Sequence, residues 1–315
     1  MANWNVAWVI YCDGGSFSGD AERPINVTGP NSTGTRGLHF KGRRNLAVVI
    51  DELKARGMSA DQNASMAVLG GCSAGGLGAL VQCDFFADRL PGVKSRCVGD
   101  AGVFLDAASL TTWPGKTAVH AVASAASAAA AVGSASDTPQ RGVMAMQFSN
   151  AMKMQNLSLP WRCLASAANT FPAACFFPQH VLVSASTPRF IRNSFYNYGE
   201  FEMLPVHWQN GHAWPSDWGT YSSPACRWES DDRATDGCTP AQHAVKRSFQ
   251  QQFVAAMAPA IANTSAHGVF VDACSGCHCE GLFSGIAVNG VTFSQALAGW
   301  LFNDTRVKQV ATPAG

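Results

Sequence analysis

Gly70-Gly71-Cys72-Ser73-Ala74-Gly75-Gly76 is the stretch whose reading decides the fold. The residues before it, Ala64-Ser65-Met66-Ala67-Val68-Leu69, are short and apolar enough for a buried strand. After it, Leu77 to Leu90 carries the periodicity of an amphipathic helix. A G-x-S-x-G turn between a strand and a helix lifts a serine hydroxyl clear of the sheet, on the bend of a nucleophile elbow. Small residues belong there, because a Cβ at Gly71 or Gly75 is expected to collide with the neighbouring strand or helix. The Ala74 amide, at the helix start, then faces a developing oxyanion. A glycine-rich turn can also do no more than pack a helix on a sheet; the flanking strand and helix favour the nucleophile.

Upstream, Val6-Ala-Trp-Val-Ile-Tyr11 reads as a buried strand and Cys12 to Asp20 as a loop. Residues 21–37 read as surface, and Arg43 to Lys54 as a helix with Leu46, Val49, Ile50 and Leu53 on one face. Downstream, Arg96 to Gly102 is a strand running into a glycine-rich loop, and 143–157 a methionine-rich helix. Arg189 to Phe195 and Gly268 to Asp272 are further strands, with a helix over Gln242 to Ile261 between them and another near 293–302. Residues 201–238 read as a Trp- and Gly-rich loop wall. Strand and helix alternate, which predicts an α/β fold: a mostly parallel sheet with helices on both faces. One hydrolase domain over 1–315 is expected, with the Ala/Ser-rich stretch at 117–136 as an insertion. An α/β domain that opens on a central strand is also expected to be truncated at its N-terminus.

With 315 residues, 47% hydrophobic and 14% charged, the chain can bury a large core. A net charge of +1, with no basic run longer than Lys41-Gly-Arg-Arg44, argues against nucleic acid or an anionic membrane as partner. No stretch reads as a membrane span. Eleven cysteines, with Asn-x-Ser/Thr sequons at Asn26, Asn31, Asn63, Asn156, Asn263 and Asn303, fit a secreted glycoprotein with disulfides. Met1-Ala-Asn-Trp-Asn-Val is not a signal peptide, so the secretion signal is expected to lie in the missing N-terminal part. Loop length suggests Cys163 with Cys175 and Cys226 with Cys238 as disulfide pairs.

Acyl transfer by serine needs a base, a group that orients the base, and oxyanion donors. In a strand–elbow–helix hydrolase the order is serine, acid, histidine, the last two at strand ends. Of the eight histidines, only His278 follows a final strand in a loop clamped by cysteines. His39, His120, His180, His207, His212, His243 and His267 read as surface or packing residues. Cys274-Ser-Gly-Cys277-His278 also spells the C-x-x-C-H pattern of haem attachment, and Cys274, Cys277, His278 and Cys279 offer metal ligands. Adjacent ligands at 277, 278 and 279 are awkward for zinc, and c-type haem domains are small and helical. Disulfides in an oxidising compartment are the plainer account, and neither a cofactor nor a metal is expected.

GCSAGGLGAL, YCDGGSFSGD, GDAGVFLD, CFFPQHV, STPRFIRNSFYN and the loop ending His278-Cys279 together resemble the pectin acetylesterase family, to which the Wnt-deacylating Notum carboxylesterases are related. The resemblance spans nearly the whole chain. It implies an α/β-hydrolase-like fold, a Ser-Asp-His triad, no cofactor, and hydrolysis of a carboxylic ester, in plant members an acetyl group on pectin. Residue by residue, it implies Ser73 as nucleophile, Ala74 as oxyanion amide, His278 as base and Asp100 as an architectural aspartate near the pocket. The His278 loop carries one residue more than the family spacing. At the acid the chain departs: the family's N-x-x-Y-D is here Asn193-Ser-Phe-Tyr196-Asn197. An asparagine can hold an imidazole but does not stabilise an imidazolium as a carboxylate does; Glu200 or Glu202 are alternative orienting groups. The family's G-G-G-W-C loop, which supplies further oxyanion amides, has no counterpart in these residues; Gly14 and Gly15 are expected only to line the pocket. The implied activity is acetyl-ester hydrolysis on an acetylated polysaccharide, extracellular or in the cell wall. Two alternatives stay open: a weak or inactive homologue that binds an acylated glycan or protein, and a Notum-like protein deacylase.

Overall fold

The computed structural model describes residues 3–28, 34–106, 143–166, 171–196, 239–262, 267–275, 277–279, 281, 285–303 and 306–311. The 117–136 stretch, Asn197, Glu200, Glu202, Cys226 and Cys238 lie outside them.

In chain order, β1 (Ile25–Thr28) and β2 (Thr35–Leu38) form an antiparallel hairpin inside the region read as surface, and all but one of their residues are exposed. Helix α1 (Gly42–Ala55) buries Leu46 and Ile50. Strand β3 (Met66–Cys72) leads through Ser73 into α2 (Ala74–Val81). The helix read as one piece from Leu77 to Leu90 is two, because the chain turns at Gln82 before α3 (Cys83–Asp88). Nor is α2 amphipathic: Gly76 to Val81 are all buried. Gln82 is itself buried, and its amide donates to Ser18 Oγ (2.7 Å) and the Ser158 carbonyl (3.0 Å).

Strand β4 (Lys94–Asp100) follows, then α4 (Val143–Gln155), α5 (Trp161–Leu164) and α6 (Pro178–Ser184). The chain continues through β5 (Arg189–Tyr196), α7 (Pro240–Ala262) and β6 (Gly268–Ser275). A small β7 (Ala287–Val288) and β8 (Val291–Thr292) hairpin leads to α8 (Phe293–Phe302) and β9 (Lys308–Val310). Helix α8 starts at a capping box in which Thr292 and Gln295 satisfy each other's orphan amides.

The central sheet runs β3-β4-β5-β6-β9, and every pairing in it is parallel. Side chains alternate across it. Ile191, Val269 and Val271 face Leu80 of α2, Leu182 of α6 and Phe249, Phe253 and Met257 of α7. Phe190, Phe270 and Val98 face Phe293, Leu297 and Trp300 of α8. A parallel sheet is buried on both faces, so its strands read as nearly continuous apolar runs.

Two sequence expectations fail here. Val6 to Tyr11 is no strand: Val6, Trp8 and Ile10 are 85%, 89% and 75% exposed. An apolar run becomes a strand only when an edge is there to pair with it, and none is beside it among the described residues. Nor is β3 the buried strand expected before the elbow: it lies at the edge of the described sheet, and of its residues only Ala67 is buried.

Disulfides join Cys83 to Cys97, stitching α3 to β4, and Cys163 to Cys175, as loop length suggests. Cys72–Cys279 and Cys274–Cys277 complete the bonded pairs among the described residues, where Cys12 is the free thiol.

Candidate active site

At Ser73 the chain must pass from a strand into a helix within one residue. It does so at φ 54°, ψ −123°, a backbone region that a residue with a Cβ seldom occupies. Such strain persists only where the surroundings over-determine it. Here the Ser73 amide donates to the Asp100 carbonyl at the end of β4 (2.9 Å), and the Ser73 carbonyl accepts from the Leu77 amide (2.8 Å).

The expected reason for glycine at 71 holds: a Cβ there would lie 2.3 Å from the Gly75 carbonyl oxygen. The same expectation for Gly75 is wrong, since a Cβ on it would meet nothing within 4 Å. Gly76 is the second obligatory glycine. Its Cβ would sit 2.5 Å from the Asp100 carbonyl oxygen, because α2 starts hard against the 100–102 loop. Gly102 answers from the other side, where a Cβ would lie 2.5 Å from the Gly76 carbonyl carbon. Ala74, the expected oxyanion donor, is the first residue of α2, where backbone amides have no partner within the helix.

The 12–20 loop packs on the same helix. A Cβ at Gly78 would come within 2.8 Å of the Ser16 carbonyl oxygen. Asp13, buried, organises this loop: its carboxylate accepts from the amides of Gly15 (3.1 Å), Phe17 (3.3 Å), Gly19 (3.2 Å) and Gly42 (3.0 Å). Gly14 takes φ +67°, and Gly15 is buried against the Gln155 side chain. Both help shape the loop under the elbow helix.

His278 lies beyond β6 in a loop held to the elbow by covalent and polar bonds. Cys279 is bonded to Cys72, the last residue of β3. A His278 ring nitrogen therefore lies within 4.8 Å of the Cys72 sulfur, one residue from Ser73. Farther along the loop, the Gly281 amide donates to Asp100 Oδ2 (3.0 Å). Asp100 thus touches both halves of the site, through its carbonyl to Ser73 and its carboxylate to the His278 loop. The sulfurs that could have joined His278 in a ligand set are paired as disulfides, Cys72 with Cys279 and Cys274 with Cys277.

Beneath this loop lies an ion cluster. Period two carries Val98 to Asp100, Phe190 to Arg192 and Phe270 to Asp272, all toward one face of the sheet. Arg192 is fully buried, with Asp100 Oδ1 at 3.1 Å and Asp272 Oδ2 at 3.0 Å. Burial pushes the Asp272 carboxyl above its ordinary value, against the pull of Arg192 and the Cys274 amide. Next to it, Asn193 accepts from the Val103 amide (3.3 Å), fixing the loop after β4. Arg192 and Asp272 are structural partners absent from the sequence-based candidates; an arginine inside an apolar strand is the signal for them, since it must find an acid when buried.

A family model described as Pectinacetylesterase matches residues 1–314. The chain belongs to the pectinacetylesterase family. Among its relatives is pectin acetylesterase 11 of Arabidopsis thaliana, 31% identical over 98% of this chain and 67% of that protein. Pectin acetylesterase 5 of the same plant is 29% identical over 99% of this chain and 62% of its own length. The palmitoleoyl-protein carboxylesterase notum1 of Xenopus laevis matches a shorter piece, 33% identical over 33% of this chain and 20% of that protein. In three dimensions the pectinacetylesterase chain resembles the Wnt deacylase Notum from Drosophila, with a TM-score of 0.60 at 18% identity over 96% of this chain and 70% of the other. At that identity the likeness speaks for the shared α/β-hydrolase-like fold, as the parallel sheet and flanking helices do.

Proposed function

We propose that this chain is a carboxylic ester hydrolase that removes O-acetyl groups from pectin or a related cell-wall polysaccharide. Ser73 is the nucleophile, His278 the base, Ala74 an oxyanion donor and Asn197 the orienting group. The observation that carries this reading is the strained Ser73 at the β3–α2 junction, with the His278 loop bonded to the residue before it. His278 takes the Ser73 proton as Oγ attacks the acetyl carbonyl. The sugar oxygen leaves with that proton, and water then releases acetate from the acyl-serine. Asp100 holds the two loops together, while Gly14 and Gly15 shape the loop beside them.

Acetate release from acetylated pectin tests the reading. Ser73→Ala is expected to abolish it, by on the order of 10⁶-fold in turnover. Asn197→Asp is expected to raise activity, by up to about 10⁴-fold if the asparagine limits the imidazolium. Wild-type protein that releases no acetate, with an active Asn197→Asp variant, would instead support the second reading. That reading, a homologue that binds acylated glycan or protein without turning it over, is favoured by Asn197 alone. A Notum-like deacylase is distinguished by hydrolysis of a palmitoleoylated peptide in place of acetylated pectin. Extracellular localisation accords with the disulfides. No helix among the described residues is long and apolar enough to cross a membrane.

A further inference from the structure

The Cys72–Cys279 disulfide spans 207 residues of sequence and ends beside the two positions that matter most for the proposed chemistry. One end is the residue before Ser73 and the other the residue after His278. We propose that this disulfide is the positioning element that sets His278 against Ser73, and that its reversible reduction switches the site off. The inference rests on the reading of Ser73 as nucleophile and His278 as base.

Three observations support it. The His278 loop leaves β6 after Ser275, and neither of the described residues 277–279 and 281 lies in a strand or helix, so the base rides on backbone with no ladder of its own. The disulfide ties that loop to the elbow, and the Gly281–Asp100 hydrogen bond reaches the loop two residues farther on. The bonded cysteines also differ in access. The sulfur-bearing residues Cys83, Cys97, Cys163 and Cys175 are buried, whereas Cys279 is exposed and Cys72 half-buried. A small dithiol therefore reaches Cys72–Cys279, along with the half-buried Cys274–Cys277 bridge of the same loop, before the two buried bridges, and the double variant separates the two. In that step the sulfur–sulfur bond breaks and Cys72 and Cys279 each gain a thiol hydrogen. The dithiol, having supplied two electrons and two protons, closes to a cyclic disulfide.

A loop freed by one such bond need move only about 1 Å to cost on the order of 10²-fold in rate. Because Asn197 holds an imidazolium less firmly than aspartate would, the backbone tether carries more of the alignment. Substrate contacts elsewhere are untouched, so the loss falls on kcat and leaves KM unmoved.

The experiment compares wild type with Cys72→Ala/Cys279→Ala on an acetyl ester, and follows wild type through dithiothreitol treatment and reoxidation. Circular dichroism checks the fold, and alkylation with mass spectrometry reports which cysteines opened. The tether predicts a double variant with kcat down about 10²-fold, KM unchanged and no further response to dithiothreitol. It also predicts slowed fluorophosphonate labelling of Ser73 in folded, reduced wild type, restored on reoxidation. If the double variant does not fold, the reduction and reoxidation of wild type give the same answer. A folded double variant with wild-type kcat, or a folded protein reduced at 72 and 279 with full labelling, overturns the tether and leaves the esterase reading standing. Wild type that releases no more acetate than Ser73→Ala overturns both.

Discussion

Met66–Cys72 and Val6–Tyr11 are nearly the same message: a short apolar run, then residues with left-handed backbone, at Ser73 in one and Gly14, Ser16 and Phe17 in the other. The first is a strand paired residue for residue with Lys94–Asp100, and the second lies open with its alternate side chains in solvent. The difference is a neighbour. A strand is stabilised by what lies across from it and above it, and an apolar run supplies only half of each contact. Tertiary contact then reaches into chemistry, because the β4 end that completes β3 also supplies the carbonyl that holds the Ser73 amide.

The comparison breaks most visibly at the charged end of the paired strands. Arg192→Leu leaves Asp100 and Asp272 facing each other without a counter-charge, and we expect a loss of about 3–5 kcal/mol in denaturant unfolding. A next, smaller effect is set by pH at the opposite end of the sheet. His267, fully buried before β6, donates from Nε2 to the Leu182 carbonyl (3.1 Å), and burial, helped by Arg189, pushes its pKa down to about 4. Between that value and 6.5 the unfolded chain binds a proton that the native chain refuses. Stability therefore falls as pH drops through that window, by roughly 3 kcal/mol, and His267→Asn flattens the slope in urea titrations across pH. The glycines come third. Gly71→Ala is expected to lower the midpoint of thermal unfolding through a loss of about 1–3 kcal/mol, while Gly75→Ala, in open space, leaves it unchanged or raises it. Smallest of all, Trp8→Ser and Ile10→Ser should each shift unfolding by less than about 0.5 kcal/mol, against the larger loss expected for Val68→Ser in the paired strand. A destabilisation by Trp8→Ser equal to that of Val68→Ser would mean that Val6–Tyr11 is packed in solution, and would dissolve the contrast.

Much of the fold was legible because its signals are local. Helix α8 lies near the expected 293–302, and β4, β5, β6, α1 and α7 lie where the apolar pattern places them. The break at Gln82 was not, because nothing in Leu77 to Leu90 announces a turn; the side chain that makes it bonds to Ser18 and Ser158, far away in sequence. At the candidate site, Ser73 and Ala74 stand on the expected bend, and the resemblance pointed to Asp100 without saying what it holds. The error at Gly75 has a simple cause: the motif marks both glycines, but the turn aims a Cβ at Gly71 into the Gly75 carbonyl while one at Gly75 points into open space, and it is Gly76 that meets the 100–102 loop.

By itself the sequence determined that a serine would sit between an apolar strand and a helix, since apolar runs, small residues and periodicity act over a few neighbours. It also named the family, through motifs spread along nearly the whole chain. Only the tertiary structure decided which apolar run becomes a strand, which glycine is indispensable, that Arg192 bridges Asp100 and Asp272, and that Cys72 joins Cys279 across 207 residues. These depend on groups meeting across strands and loops, and side chains that are distant in sequence carry no local mark of the partner they will find.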